Sequence, residues 1–95
     1  MIKGFGLSGN ELWLSRACKA LGHPARLKIL WELAQGDCMC GNLVRRLPLA
    51  QSTVSQHVKV LREAGLIIGS IEGAATNYRL DRNAVELLKQ LMSEL

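Results

Sequence analysis

No stretch of this 95-residue chain approaches the ~20 consecutive apolar residues that a membrane-spanning helix needs, so no bilayer span is expected. The opening MIKGFGLSGNELW lacks the long apolar core and small-residue cleavage site of a secretory leader. Internal repeats, low-complexity tracts and linker-like segments are also missing. The expectation is therefore one domain over residues 1–95, with residues 1–9 as a loose arm. A nucleophile elbow, a glycine-rich phosphate loop and a paired-acid constellation are all lacking. Ser52 and Ser55 lie near His57, but without such companions they do not make a hydrolase, and no enzyme is expected. Cysteine is scarce, limited to Cys18, Cys38 and Cys40. An odd count without a leader argues against a disulfide framework and for a reduced, cytoplasmic protein. Acidic residues are in deficit: Lys+Arg is 12 against Asp+Glu 8, a net charge of +4. That balance suits an anionic partner, of which nucleic acid is the commonest. A chain this short buries only a modest core, so a dimer interface would add stability.

What is present is concentrated in residues 51–65, QSTVSQHVKVLREAG. Val54, Val58 and Leu61 fall at i, i+4, i+7 and share one side of a helix over about 51–64. Ser52, Thr53, Ser55, Gln56 and Lys59 lie mainly off that seam, and such groups reach base edges and phosphates in a major groove. A solvated surface helix would look the same in isolation; its neighbours decide between the two. Residues 42–47 form a short helical stretch, with Leu43 and Leu47 at i, i+4, stopped by Pro48. Residues 49–51 make a turn, giving helix, tight turn, helix. After Gly65, residues 66–71 read as a strand, 72–75 as a loop and 76–80 as the returning strand. The predicted fold is mainly α with a small β-hairpin, a winged helix-turn-helix.

Three further helices are predicted. Over residues 10–21, Leu14, Cys18 and Leu21 form one stripe and Trp13, Ala17 and Ala20 another. His23–Pro24 opens a central helix, with proline in the first turn where no N–H is missed. Leu27, Leu30, Trp31 and Ala34 line one of its faces, Ile29 and Leu33 another, and Gly36 ends it. Over residues 82–95, Leu88, Leu91, Met92 and Leu95 make a wide apolar stripe, broadened by Val85 and Leu87, which needs more partner surface than one small core supplies. Cys38 and Cys40 lie at a helix entrance, where the positive end of the helix favours thiolates, and soft thiolates select soft ions.

The segments HPARLKIL (23–30), LPLAQSTVSQHVKVLREAGLI (47–67) and NYRL (77–80) resemble the ArsR/SmtB family of winged-helix repressors. The most specific part is the pattern SxxSxHxxxLxxAGL, here Ser52, Ser55, His57, Leu61, Ala64, Gly65 and Leu66. The resemblance covers roughly residues 15–95. It implies a homodimer whose first and last helices pair across a twofold axis, and which leaves operator DNA when it binds a metal or metalloid, or when its cysteines oxidise. It implies DNA contacts from Gln51, Ser52, Thr53, Ser55, Gln56, His57, Lys59 and Arg62, with Arg45, Arg46 and Arg79 as cations around them. Family members carry a C-x-C pair in this region that binds arsenite, antimonite, cadmium or lead. Cys38 and Cys40 are the matching ligands for such an inducer, or for another soft divalent metal such as zinc. A trivalent arsenical takes three sulfurs, and Cys18 is either the third or a buried small hydrophobe. The family's other zinc site, built from Asp and His on the last helix, is not expected, because LDRNAVELLKQLMSEL contains no histidine. Two alternatives stand beside metal sensing: a thiol-redox or persulfide switch, and a winged helix used only for protein interaction. The wing tip gives the latter room, since residues 72–75 lack an arginine to enter a minor groove.

Overall fold

The computed structural model describes residues 6–36, 38–73 and 75–95, with the backbone alone at 38–41 and 72. Five helices and three short strands follow in the order α1 (Gly9–Leu21), α2 (Pro24–Gln35), β1 (Cys38–Met39), α3 (Cys40–Arg45), α4 (Gln51–Glu63), β2 (Ile67–Glu72), β3 (Ala75–Leu80) and α5 (Arg82–Ser93). The winged helix-turn-helix is present, with α3 and α4 as its two helices and β2–β3 as its wing. Of the expected loose arm, residues 1–5 lie outside the described residues. Ser8 already caps α1: the Glu11 N–H donates to Ser8 Oγ (3.1 Å) and the Ser8 N–H to Glu11 Oε1 (3.0 Å).

The core is built from one face of each of α1 to α4, and α5 leans on it. Ile29, Leu33, Leu43, Val54, Leu61 and Leu66 are fully buried, joined by Ala17, Ala20, Leu47, Val58, Ile67 and Leu80. Where two stripes were open in the sequence, the structure selects one. On α1 it is Trp13, Ala17 and Ala20; Leu14 and Leu21 are half-buried and Cys18 is exposed, so Cys18 is not a core hydrophobe. On α2 it is Ile29 and Leu33, leaving Leu27 and Trp31 47% and 63% exposed. The small alanines of α1 let its backbone approach the core closely. Trp31 is too large to share the space that Ile29 and Leu33 already fill.

Short segments depart from expectation. The helix expected over 42–47 starts earlier, at Cys40, and ends at Arg45. Beyond it the bonds tighten: the Arg46 N–H is shared between Asn42 O (3.3 Å) and Leu43 O (3.2 Å), and the Leu47 N–H donates three residues back to Val44 O (3.3 Å). Pro48 forces that ending, because the residue before proline is excluded from the α region. The hairpin gains a third strand. β1 pairs antiparallel with β3, Cys38 opposite Tyr78 and Met39 opposite Asn77, giving the order β1-β3-β2.

The end of α4 is locked. Gly65 takes φ +82°, its N–H donates to Arg62 O (3.0 Å), and the Leu66 N–H reaches back to Leu61 O (3.0 Å). This paired closure suits glycine, which bears no Cβ penalty at positive φ. The Leu66 carbonyl then accepts the Asp81 N–H (2.9 Å), and Asp81 Oδ1 caps α5 by accepting the Ala84 N–H (3.1 Å).

Candidate nucleic-acid interface and cysteine pair

Helix α4 divides cleanly. Val54, Val58 and Leu61 are buried, while Gln51, Ser52, Ser55, Gln56, Lys59 and Arg62 are exposed. Thr53 and His57 are half-buried, on the flanks between the two faces. The helical period alone produces this: an i, i+4, i+7 seam turned inward leaves the polar residues outward. Ala50, the N-cap, offers no side-chain acceptor to the first turn of α4. Its orphan N–H groups are thus left to other acceptors, and a helix start of this kind favours anions. Arg45 and Arg46 are exposed between α3 and α4, and Arg79 is exposed on β3. The residues expected to touch DNA therefore lie on and just after α3, on α4 and on β3, with the exposed polar row on α4 alone.

His57 was expected beside this row; its neighbour was not. Its ring lies 4.5 Å, centroid to centroid, from that of His23, with the planes tilted by 45°. His23 caps α2, its Nδ1 accepting the Ala25 N–H (3.0 Å). Burial, first, and then the charges of His23 and Arg26 hold the His57 imidazole below its ordinary value. Nothing local in the sequence foretells a pair separated by 34 positions (57 less 23).

For the cysteines, the backbone gives Cys38 a place in β1 and makes Cys40 the first residue of α3. Their side chains lie outside the described residues, and Cys18 is free and exposed on α1. Among the described residues no three His, Cys, Asp or Glu side chains come together as a metal site. No helix among them is long and apolar enough to cross a membrane.

Comparison with known proteins bears on this geometry. A family model described as a helix-turn-helix domain matches residues 21–69, which holds α2 through the start of the wing. The chain is 42% identical over 74 residues to the biofilm growth-associated repressor of Agrobacterium fabrum, covering 77% of this chain and 63% of that one. It is 38% identical over 83 residues to the HTH-type transcriptional regulator CmtR of Mycobacterium tuberculosis, covering 86% of this chain and 70% of the relative. It thus spans about two thirds of the length of these two relatives. A solved structure described as a possible transcriptional regulator for arsenical resistance superposes with a TM-score of 0.74 at 32% identity, over 80% of this chain and 79% of that one. These relatives are regulators of transcription, not enzymes. With its helix-turn-helix, its wing and its α4 pattern all matched, the chain belongs to the ArsR/SmtB family of winged-helix transcriptional regulators.

Proposed function

We propose that this chain is a homodimeric repressor that inserts α4 into the major groove of operator DNA and releases it when a thiophilic metalloid or metal binds Cys38 and Cys40. The observation that carries the DNA half is α4 itself, with a buried Val54–Val58–Leu61 seam set opposite an exposed row of Ser52, Ser55, Gln56 and Lys59. A hydroxyl and amide row on a groove-sized helix reads base edges, while Lys59, Arg45, Arg46 and Arg79 answer phosphates. The dimer half rests on α5, none of whose residues is buried although Leu87, Leu88, Leu91 and Met92 crowd one side.

Two substitutions test the docking. Gln56→Ala is expected to lose about 1–3 kcal/mol of discrimination between the promoter of its own operon and scrambled DNA. Lys59→Ala is expected to weaken all DNA alike and to flatten the salt dependence by about one phosphate. Fluorescence anisotropy over a salt series measures both. Unchanged promoter affinity in both variants would reject α4 as the reading helix.

The sensing half rests on where the cysteines fall in the backbone. Cys38 belongs to the strand that pairs with the wing, and Cys40 opens the first helix of the helix-turn-helix. A ligand joining the two sulfurs would act on the strand that pairs with the wing and on the helix that precedes α4. It releases DNA only if it binds the free form more tightly, each tenfold preference being worth about 1.4 kcal/mol. Cys38→Ser with Cys40→Ser is accordingly expected to retain DNA affinity and lose release by arsenite, antimonite, cadmium, lead or zinc. Cys18→Ser is expected to abolish the high-affinity arsenite response, since a third sulfur is then missing. Normal release of the double variant by every one of these ions would place the sensor elsewhere.

A second reading is favoured by the exposure of Cys18, which leaves its thiol open to oxidants. In that case a polysulfide or peroxide joins Cys18 to Cys38 or Cys40, because two cysteines only two positions apart hardly form an ordinary bridge with each other. Release by polysulfide, abolished by Cys18→Ser and reversed by a reductant, would decide for it.

A further inference from the structure

The start of α2 and the middle of α4 meet in a cluster for which the groove-facing row does not account. His23 uses Nδ1 to accept the Ala25 N–H, so its neutral ring carries the proton on Nε2, free to donate. Arg26, three residues along α2 from His23, is half-buried, and its Nε is shielded from solvent with no acceptor among the described residues. The ion pair found among those residues joins Lys89 to Glu86 on α5 and does not involve Arg26. A partly desolvated guanidinium near enough to disfavour charge on His57, with no described counter-charge, is unfavourable until an anion joins it.

The position of the cluster says which anion. His57 follows Gln56 directly and precedes Lys59 by two residues, so it lies on the flank of the groove-facing row. A helix about 10–12 Å across fills a major groove about 12 Å wide, and its flanking side chains therefore meet the phosphates at the groove wall. We propose that His23, Arg26 and His57 form a clamp for one phosphodiester of the DNA backbone and so bring the start of α2 into the interface. This clamp rests on the DNA-binding role of α4 and adds a second element to it.

A proton follows the phosphate. In the free protein, burial first, and then the nearby His23 and Arg26 at the start of α2, disfavour charged His57. A seated phosphate favours the charged form instead. Binding therefore takes up a proton in the interval between the lowered value of the free protein and the raised value of the complex. Within that interval affinity rises as pH falls; above it His57 is neutral in both states, and below it charged in both.

The test uses the full chain, the promoter duplex and a short mixed-sequence duplex, because a phosphate contact ignores sequence. Arg26→Gln is expected to weaken both duplexes by the same factor and to reduce the slope of log affinity against log salt by about 0.9 per phosphate lost. His57→Gln is expected to remove the rise in affinity on acidification. His23→Asn keeps a capping side chain and should weaken both duplexes without melting the helix. Should a variant fail to fold, nuclear magnetic resonance of the His57 ring in the unaltered protein decides instead, with an upward shift of its titration expected on adding duplex. Unchanged salt slope in a folded Arg26→Gln protein overturns the clamp, as does an identical His57 titration with and without DNA. A shift produced by inorganic phosphate alone, with no further change on adding duplex, makes a free anion the occupant and also overturns it. Loss of promoter preference over the mixed-sequence duplex is a different failure: it removes the specific regulator while the clamp is still measured on both.

Discussion

A protein carrying Leu91→Glu together with Met92→Glu is expected to sediment as a monomer where the unaltered protein is expected to sediment as the proposed dimer, and to lose its operator. Val85 and Leu88 of α5 lean on the core. Leu91 is half-buried without packing against that core, Met92 is 47% exposed and Leu95 is 94% exposed. In the proposed dimer a second copy covers these residues. Two carboxylates per protomer would then enter an apolar contact without counter-charges, at an effective cost of several kcal/mol per ion. Even about 2.8 kcal/mol raises the dissociation constant of the dimer about a hundredfold. Operator binding fails with it, because two half-sites need two linked reading helices. Sedimentation equilibrium measures the first effect and anisotropy the second. A variant that stays folded and dimeric excludes α5 from the interface.

Leu61→Ala is expected to cost about 2–5 kcal/mol of folding stability, against a total of about 5–15 kcal/mol for a domain of ordinary stability. Leu61 is fully buried in the core cluster that it shares with Ile29 and Leu33 of α2, Leu43 of α3 and Leu66 beyond the end of α4. Its removal leaves a void bordered by three helices, none of which can collapse without moving the others. A loss of this size lowers the melting temperature by roughly 8 °C or more. Gln56→Ala, on the exposed side of the same helix, should leave the melting temperature nearly unchanged. Thermal unfolding of the two variants side by side separates the framework of α4 from its reading row, and equal stability in both would contradict the buried seam.

The helices were legible because helical period is a local signal. Val54, Val58 and Leu61 declare their shared face within eight residues, and the exposed row of α4 follows from it. The choice between stripes was not legible. Trp31 and Leu27 are as apolar as Ile29 and Leu33, and only the packing of α1, α4 and β3 around α2 turns one pair inward. β1 escaped because two residues have no period, and its pairing joins Cys38 to Tyr78, forty positions away. A comparable distance in sequence, 34 positions (57 less 23), hid the approach of His23 to His57, since neither segment carries a local mark of the other. On the candidate site, the exposed polar row of α4 follows from the same period, and Arg45, Arg46 and Arg79 are exposed as well. Cys18 departs from one of its two open readings by standing in solvent.

Leu66 has a consequence for the DNA. Its N–H ties back into α4 and its carbonyl accepts from the residue just before α5, so one residue splices the proposed reading helix to the proposed dimerising helix. There is no slack joint between them: the wing loops out and returns, yet the chain on either side of it is stitched together at its base. Two protomers joined through α5 would hold their reading helices at a nearly fixed separation and rotation. The operator must match that phase, and lengthening its central spacer by half a helical turn would turn one half-site to the far side of the duplex.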